Sequence, residues 1–138
     1  MYSYIEQAGG PIGLALRGEI AVYTAAFPTP RLVTALTHLA QKTNATFQHW
    51  GDADLGGLRI WSFLRSRLGC PLMLVRTTAD WVASESPFGG RPLSPMQRHA
   101  LVRMRQDLAN TEGSDIDSAR ALIDSLIEHG VKLEQERY

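Results

Sequence analysis

One cysteine in 138 residues, Cys70, excludes an internal disulfide framework and a cysteine-based zinc cluster. Its neighbours Gly69 and Pro71 make it a small residue at a turn or strand edge, with no chemistry expected of it. No apolar run approaches the roughly 18 residues that a membrane-spanning helix needs, and no charged-then-apolar leader opens the chain. The expectation is a protein of the reducing cytoplasm that does not enter a membrane. Net charge is absent too: 14 basic residues balance 14 acidic ones. That argues against a domain that grips nucleic acid strongly by itself. It leaves room for an acidic site fringed by arginines, because the two cancel in the sum. Lysine is scarce, occurring only at positions 42 and 132, so arginine, the better bidentate phosphate ligand, carries most of the positive charge. No P-loop is present, and no lysine follows the fourth expected strand, which removes support for a phosphoryl-transfer or receiver-like domain.

What is present suits one α/β domain over residues 1–138. Hydrophobic residues make up 44%, an ordinary globular share. Tyr2–Glu6 reads as a first strand and Ile20–Thr24 as a second, apolar enough to be buried on both faces. Residues 12–17 are expected to form a short helical turn. Thr29 and Pro30 supply an N-cap and first helical residue, and Leu32, Val33, Leu36, Leu39 and Ala40 repeat at helical spacing up to Lys42. Thr46–Trp50 is a third strand, 55–68 a helix closed by Gly69, and Pro71–Val75 a fourth strand. This alternation predicts βαβ units and a parallel sheet. A short helix over 78–84 and a loop over 86–92 follow. Ser94 and Gln97 form a capping box for a helix to about Ala109, with Met96, Leu101, Met104 and Leu108 inward. Ser114 or Asp115 opens the last helix, whose stripe is Ala119, Leu122, Ile123, Leu126 and Ile127 and whose stop is Gly130.

The chemistry concentrates at the turn between the third strand and its helix, Trp50-Gly51-Asp52-Ala53-Asp54-Leu55-Gly56-Gly57. Asp-x-Asp where a strand hands over to a helix suits Mg²⁺, a hard cation that takes oxygen ligands and keeps several waters. The plain alternative is that Asp54 caps the helix and Asp52 is a solvated turn residue. His49 could approach a substrate phosphate or be a buried strand residue. Arg59, one turn into the helix, is the first candidate for a phosphate contact and Arg76 the second. His38, His99 and His129 fall in helices or at a helix end and read as structural.

The chain closes on Leu133-Glu134-Gln135-Glu136-Arg137. Taken alone, this is a solvated terminus. Together with Trp50-Gly51-Asp52-Ala53-Asp54 and a following glycine, it resembles the C-terminal Toprim domain of the JetD family, the nuclease subunit of the Wadjet anti-plasmid system. That family's first strand ends in Glu-Asn; here Glu6 matches the glutamate, while Gln7 departs from the asparagine by an amide one carbon longer. Position 53 carries alanine where a larger aliphatic residue is usual, and Tyr138 replaces a final aliphatic one.

The resemblance implies a Toprim-like Rossmannoid α/β fold: about four strands, mainly parallel, flanked by helices, with helices at the C-terminal end. It also implies that the chain is the C-terminal part of a longer protein. Its implied activity is Mg²⁺-dependent cleavage of DNA, with Mn²⁺ able to substitute. Asp52, Asp54 and Glu6 would be catalytic and metal-binding, and Glu134 and Glu136 supporting or second-metal carboxylates. Gln135 would orient the substrate alongside Arg59, His49 and Arg76. Double-stranded DNA, condensin-like subunits and a possible second copy of the chain are the implied partners. The competing reading is a degenerate Toprim-like scaffold that binds DNA or a partner. No tyrosine among Tyr2, Tyr4, Tyr23 and Tyr138 shows signs of covalent catalysis, which favours metal-dependent hydrolysis. All of this requires Glu6, Asp52 and Asp54 to share one edge of the sheet.

Overall fold

The computed structural model describes residues 2–6, 19–23 and 27–134, with side chains for Val22 and 27–134. The elements are β1 (Tyr2–Glu6), β2 (Glu19–Tyr23), α1 (Pro30–Lys42), β3 (Thr46–Trp50), α2 (Leu55–Leu68) and β4 (Leu72–Leu74). They are followed by α3 (Ala79–Glu85), a 3₁₀ turn (Ser86–Phe88), β5 (Arg91–Pro92), α4 (Pro95–Asp107), α5 (Ser114–His129) and β6 (Val131–Lys132).

The helix ends follow local chemistry. Thr29 accepts the Leu32 N–H, and Pro30 takes the first turn of α1. Ser94 and Gln97 complete the capping box of α4. Gly69 (φ +67°) and Gly130 (φ +65°) close α2 and α5 in the left-handed region that glycine enters without steric cost. α4 ends at Asp107, two residues short of the expected limit.

The four-stranded sheet has the order β2-β1-β3-β4, with a separate two-stranded ribbon of β5 and β6. Among the described residues, only β3 and β4 are parallel; β1 runs antiparallel to both β2 and β3. The expectation of a mainly parallel sheet is corrected here. β2 lies at the sheet edge rather than inside it. Residues 12–17 and Gln7 lie outside the described residues.

The core is built on α2 and α5. Trp61, Leu58 and Leu64 of α2 and Ile116, Leu122, Ile123 and Leu126 of α5 are all essentially buried. The Trp61 indole N–H donates to the Leu72 carbonyl at 2.6 Å, fixing α2 to β4. Asp115, fully buried, accepts from Arg65 Nε at 2.6 Å and from the Leu72 N–H at 3.0 Å. One carboxylate thereby ties α5, α2 and β4. The stripe expected on α4 is corrected at one end: Leu101 is buried, but Met96 is 81% exposed. At about 100° per residue, Met96 stands some 140° round the helix from Leu101.

Candidate metal centre

The turn that carries Asp52 and Asp54 is held on three sides. From below, Ala53 pairs with Leu133: each N–H donates to the other's carbonyl, at 2.9 and 3.1 Å. Both side chains are buried, 0% and 1% exposed. Because successive side chains on an extended chain alternate sides, Asp52, Asp54, Lys132 and Glu134 fall on the opposite, outer side. The antiparallel sense brings Lys132 towards Asp54 and Glu134 towards Asp52.

From one flank, the loop after β4 grips the turn. The Thr77 hydroxyl donates to the Gly51 carbonyl at 2.6 Å, and the Val75 N–H donates to the His49 carbonyl at 3.0 Å. Between them the Thr77 N–H reaches back to the Val75 carbonyl at 2.8 Å, a γ-turn centred on Arg76 at φ +68°. Arg76 is the non-glycine residue with positive φ among the described residues. Such turns are rare and strained, and strain of this kind collects at functional sites. The guanidinium carbon of Arg76 lies 4.4 Å from the centroid of the Trp50 ring, so the cation is parked beside the turn.

From the other flank comes the start of α2. Asp54 is its N-cap, accepting the Gly57 N–H at 2.7 Å. Gly57 must be glycine because a Cβ there would overlap the Asp52 carbonyl oxygen. The capping role weighed from the sequence is therefore real. A carboxylate offers about four acceptor sites, so the cap leaves others for a ligand. Burial pushes the Asp54 carboxyl above its ordinary range, and the Asp52 charge adds to this; hydrogen bonds from Gly57 and Gly56 and the Lys132 charge act the other way. Two half-buried carboxylates on one turn are a donor set suited to a hard divalent cation.

The other expected residues are placed as follows. His49 is 1% exposed, and burial holds its pKa down at about 4. It is a neutral core residue of β3, the buried-strand alternative read from the sequence. Arg59 is exposed and lines a cleft of about 300 Å³ between α2 and α4 together with Arg103 and Asp107. His38, His99 and His129 lie on exposed helix surface. Gln135 and Glu136 lie outside the described residues.

Glu6 is the main departure. Its backbone pairs with Thr46, whereas Tyr2 pairs with Trp50. Since β1 runs against β3, Glu6 stands at the far end of β3, six residues from Asp52, or about 20 Å at the strand rise. The expected meeting of the first and third strands' carboxylates at one edge is corrected accordingly. Among the described residues, no group of three His, Cys, Asp or Glu is close enough to hold a metal ion.

Two cations near the turn went unnoticed in the sequence. Lys132 flanks Asp54, and Arg91 lies 3.7 Å from Glu134. The alternation Val131-Lys132-Leu133-Glu134, apolar then charged, is the signal that marks this segment as strand rather than frayed end.

Among the described residues, no helix is long and apolar enough to cross a membrane. Comparison with curated proteins and with solved structures returned no match. The family model described as Wadjet protein JetD, C-terminal, matches residues 12–138. That span includes Asp52, Asp54 and the closing motif and leaves out Glu6. The chain belongs to the family of the C-terminal region of the Wadjet protein JetD.

Proposed function

We propose that this chain is the Mg²⁺-dependent DNA-cleaving domain of a Wadjet-type anti-plasmid defence system, with Asp52 and Asp54 as metal ligands and Glu134 beside them, a site that replaces the three-carboxylate edge and leaves Glu6 out. The observation that carries this reading is the Ala53–Leu133 pairing, which joins two motifs eighty residues apart on one face. A Mg²⁺ ion bound there would neutralise charge on a phosphodiester and activate a water. Two protein carboxylates plus substrate oxygens and waters is the ordinary ligand set of that ion. Asp54 is held in one orientation by the Gly57 N–H, so its carboxylate needs little reordering to receive a cation. Arg76, held over the Trp50 ring beside the turn, would supply the cation that meets the phosphate. On this reading the protein acts in the cytoplasm on double-stranded DNA, alongside condensin-like subunits and a second copy of the chain.

The test is nicking of plasmid DNA by the full-length protein in its complex. Asp52→Ala or Asp54→Ala abolishes Mg²⁺-dependent nicking under this reading; cleavage that survives both substitutions contradicts it.

One observation favours a second reading, a scaffold that binds DNA or a partner without cutting: the register that puts Glu6 beside Thr46. A calorimetric titration separates the two. Absence of heat at millimolar Mg²⁺ selects the scaffold.

A further inference from the structure

β5 and β6 form a short antiparallel ribbon in which Arg91 stands opposite Lys132 and Pro92 opposite Val131. The Leu93 N–H extends it by donating to the Gly130 carbonyl at 2.9 Å. Like charges directly opposite on an antiparallel pair repel, so stability alone does not account for this pairing. Glu134 offsets it only weakly. Its carboxylate is 3.7 Å from Arg91, and the two side chains are 49% and 74% exposed, the regime in which an ion pair contributes little.

The ribbon is nevertheless fixed in place. Gly90, at φ +114°, lies so close to β6 that a Cβ would meet Leu133 Cδ2 at 3.0 Å, Val131 Cβ at 3.2 Å and the Lys132 carbonyl at 3.3 Å. Gly90, Arg91, Lys132, Leu133 and Glu134 line a cleft of about 220 Å³. Through the Ala53–Leu133 pairing, this cleft adjoins the outer face of the Asp52–Asp54 turn. Two opposed cations on a rigid ribbon beside a carboxylate pair therefore describe a place for an anion whose neighbour is a metal. A guanidinium offers a planar fork to two phosphoryl oxygens, and an ammonium adds a point charge.

We propose that Arg91 and Lys132 clamp a backbone phosphate of the DNA strand next to the scissile bond. The proposal deepens the reading of the Asp52–Asp54 face and takes its substrate class from it. The clamp works without the metal, so it is measured separately. The probe is a fluorescein-labelled 20-base-pair duplex, titrated with the full chain in EDTA between 50 and 200 mM salt and followed by anisotropy.

Arg91→Gln and Lys132→Gln each weaken binding about five- to ten-fold at 50 mM salt. Each also lowers the slope of log affinity against log salt by about one, as expected for one lost phosphate contact. Arg31→Gln, on the exposed surface of α1, leaves both quantities within about two-fold of the parent. Arg91→Lys, which keeps the charge and loses the fork, keeps the slope and weakens binding less than Arg91→Gln. Unchanged affinity and slope in the two glutamine variants overturn the clamp, as does absence of duplex binding by the parent chain. If the clamp variants behave normally while Asp52→Asn still abolishes Mg²⁺ binding, the clamp is wrong and the metal reading stands. If they weaken binding as described but no Mg²⁺ titrates, the clamp stands as a DNA contact and the nuclease reading fails.

Discussion

Two adjacent glycines in α2 should respond to the same substitution with opposite sign. Gly56 and Gly57 both lie in the first turn of the helix, and neither has the positive φ that would penalise a side chain. Replacing an exposed helical glycine by alanine stabilises by up to about 1 kcal/mol, through the lower backbone entropy of the unfolded chain. Gly56 is exposed, and its added Cβ would meet only the Asp54 side chain, Oδ1 at 3.3 Å, which needs to give by a few tenths of an ångström and so takes back part of that gain. Gly56→Ala is therefore expected to stabilise by about 0.5 kcal/mol. Gly57 is buried against backbone. Its Cβ would overlap the Asp52 carbonyl oxygen and lie 3.1 Å from that residue's carbonyl carbon and 3.2 Å from its nitrogen. Relief requires the Asp52–Asp54 turn to move away from the helix. Overpacking of this kind costs about 1–3 kcal/mol, and a rigid backbone partner puts it near the top of that range. After the propensity gain, the net loss is about 2 kcal/mol, or about 8 °C in Tm for a chain of this size. Urea and thermal unfolding of the two variants beside the parent measure this directly. Equal effects, or a Gly57→Ala protein as stable as the parent, would refute the close approach on which the geometry of the turn rests.

Other perturbations test other joints. Asp115→Ala removes the carboxylate shared by Arg65 and the Leu72 N–H and should cost about 3 kcal/mol by urea unfolding; a loss below about 1 kcal/mol contradicts the tie between α5, α2 and β4. Thr77→Val keeps the shape but removes the 2.6 Å bond to the buried Gly51 carbonyl, with an expected loss of about 1–2 kcal/mol and weaker cation binding at the turn. His49 has a folded pKa of about 4 against 6.5, so the unfolded chain binds a proton first as pH falls. Its contribution is fully present above about pH 6.5 and is lost as pH drops towards 4, by about 3 kcal/mol in all. In His49→Gln that part of the pH dependence should vanish, and an unchanged profile would show that His49 does not titrate this way.

How far the sequence announces this fold depends on whether the signal is local. Thr29 with Pro30, Ser94 with Gln97, Gly69 and Gly130 mark helix ends where they stand, because a cap is satisfied within four residues of itself. Strand direction has no such marker. The two-residue alternation of Tyr2–Glu6 reads the same in either sense, so only pairing with Thr46–Trp50 decides that Glu6 faces Thr46 rather than Trp50. Phe47 and His49 alternate inward as a half-buried strand should, yet nothing in the histidine itself separates a neutral core residue from a ligand. The Asp-x-Asp turn is legible as chemistry, and its cap as structure. That Leu133 docks on Ala53 follows from the closing motif only through family resemblance. The opposition of Arg91 and Lys132 needs a partner for the alternating Val131–Glu134 segment, and that partner, Arg91–Pro92, is a strand of two residues, too short for any period to show.

On the proposed reading, Asp52 and Asp54 together hold a divalent cation. Mn²⁺ binding followed by electron paramagnetic resonance, with Mg²⁺ as competitor, tests it most directly in the parent, Asp52→Asn and Asp54→Asn proteins. Asparagine serves as well as aspartate at an N-cap, so the Asp54 variant keeps its helix. The expected result is Mn²⁺ bound by the parent and displaced by Mg²⁺, with binding weakened at least ten-fold in each variant at unchanged unfolding midpoint. Mn²⁺ bound equally well by all three proteins, or by none, would contradict the claim.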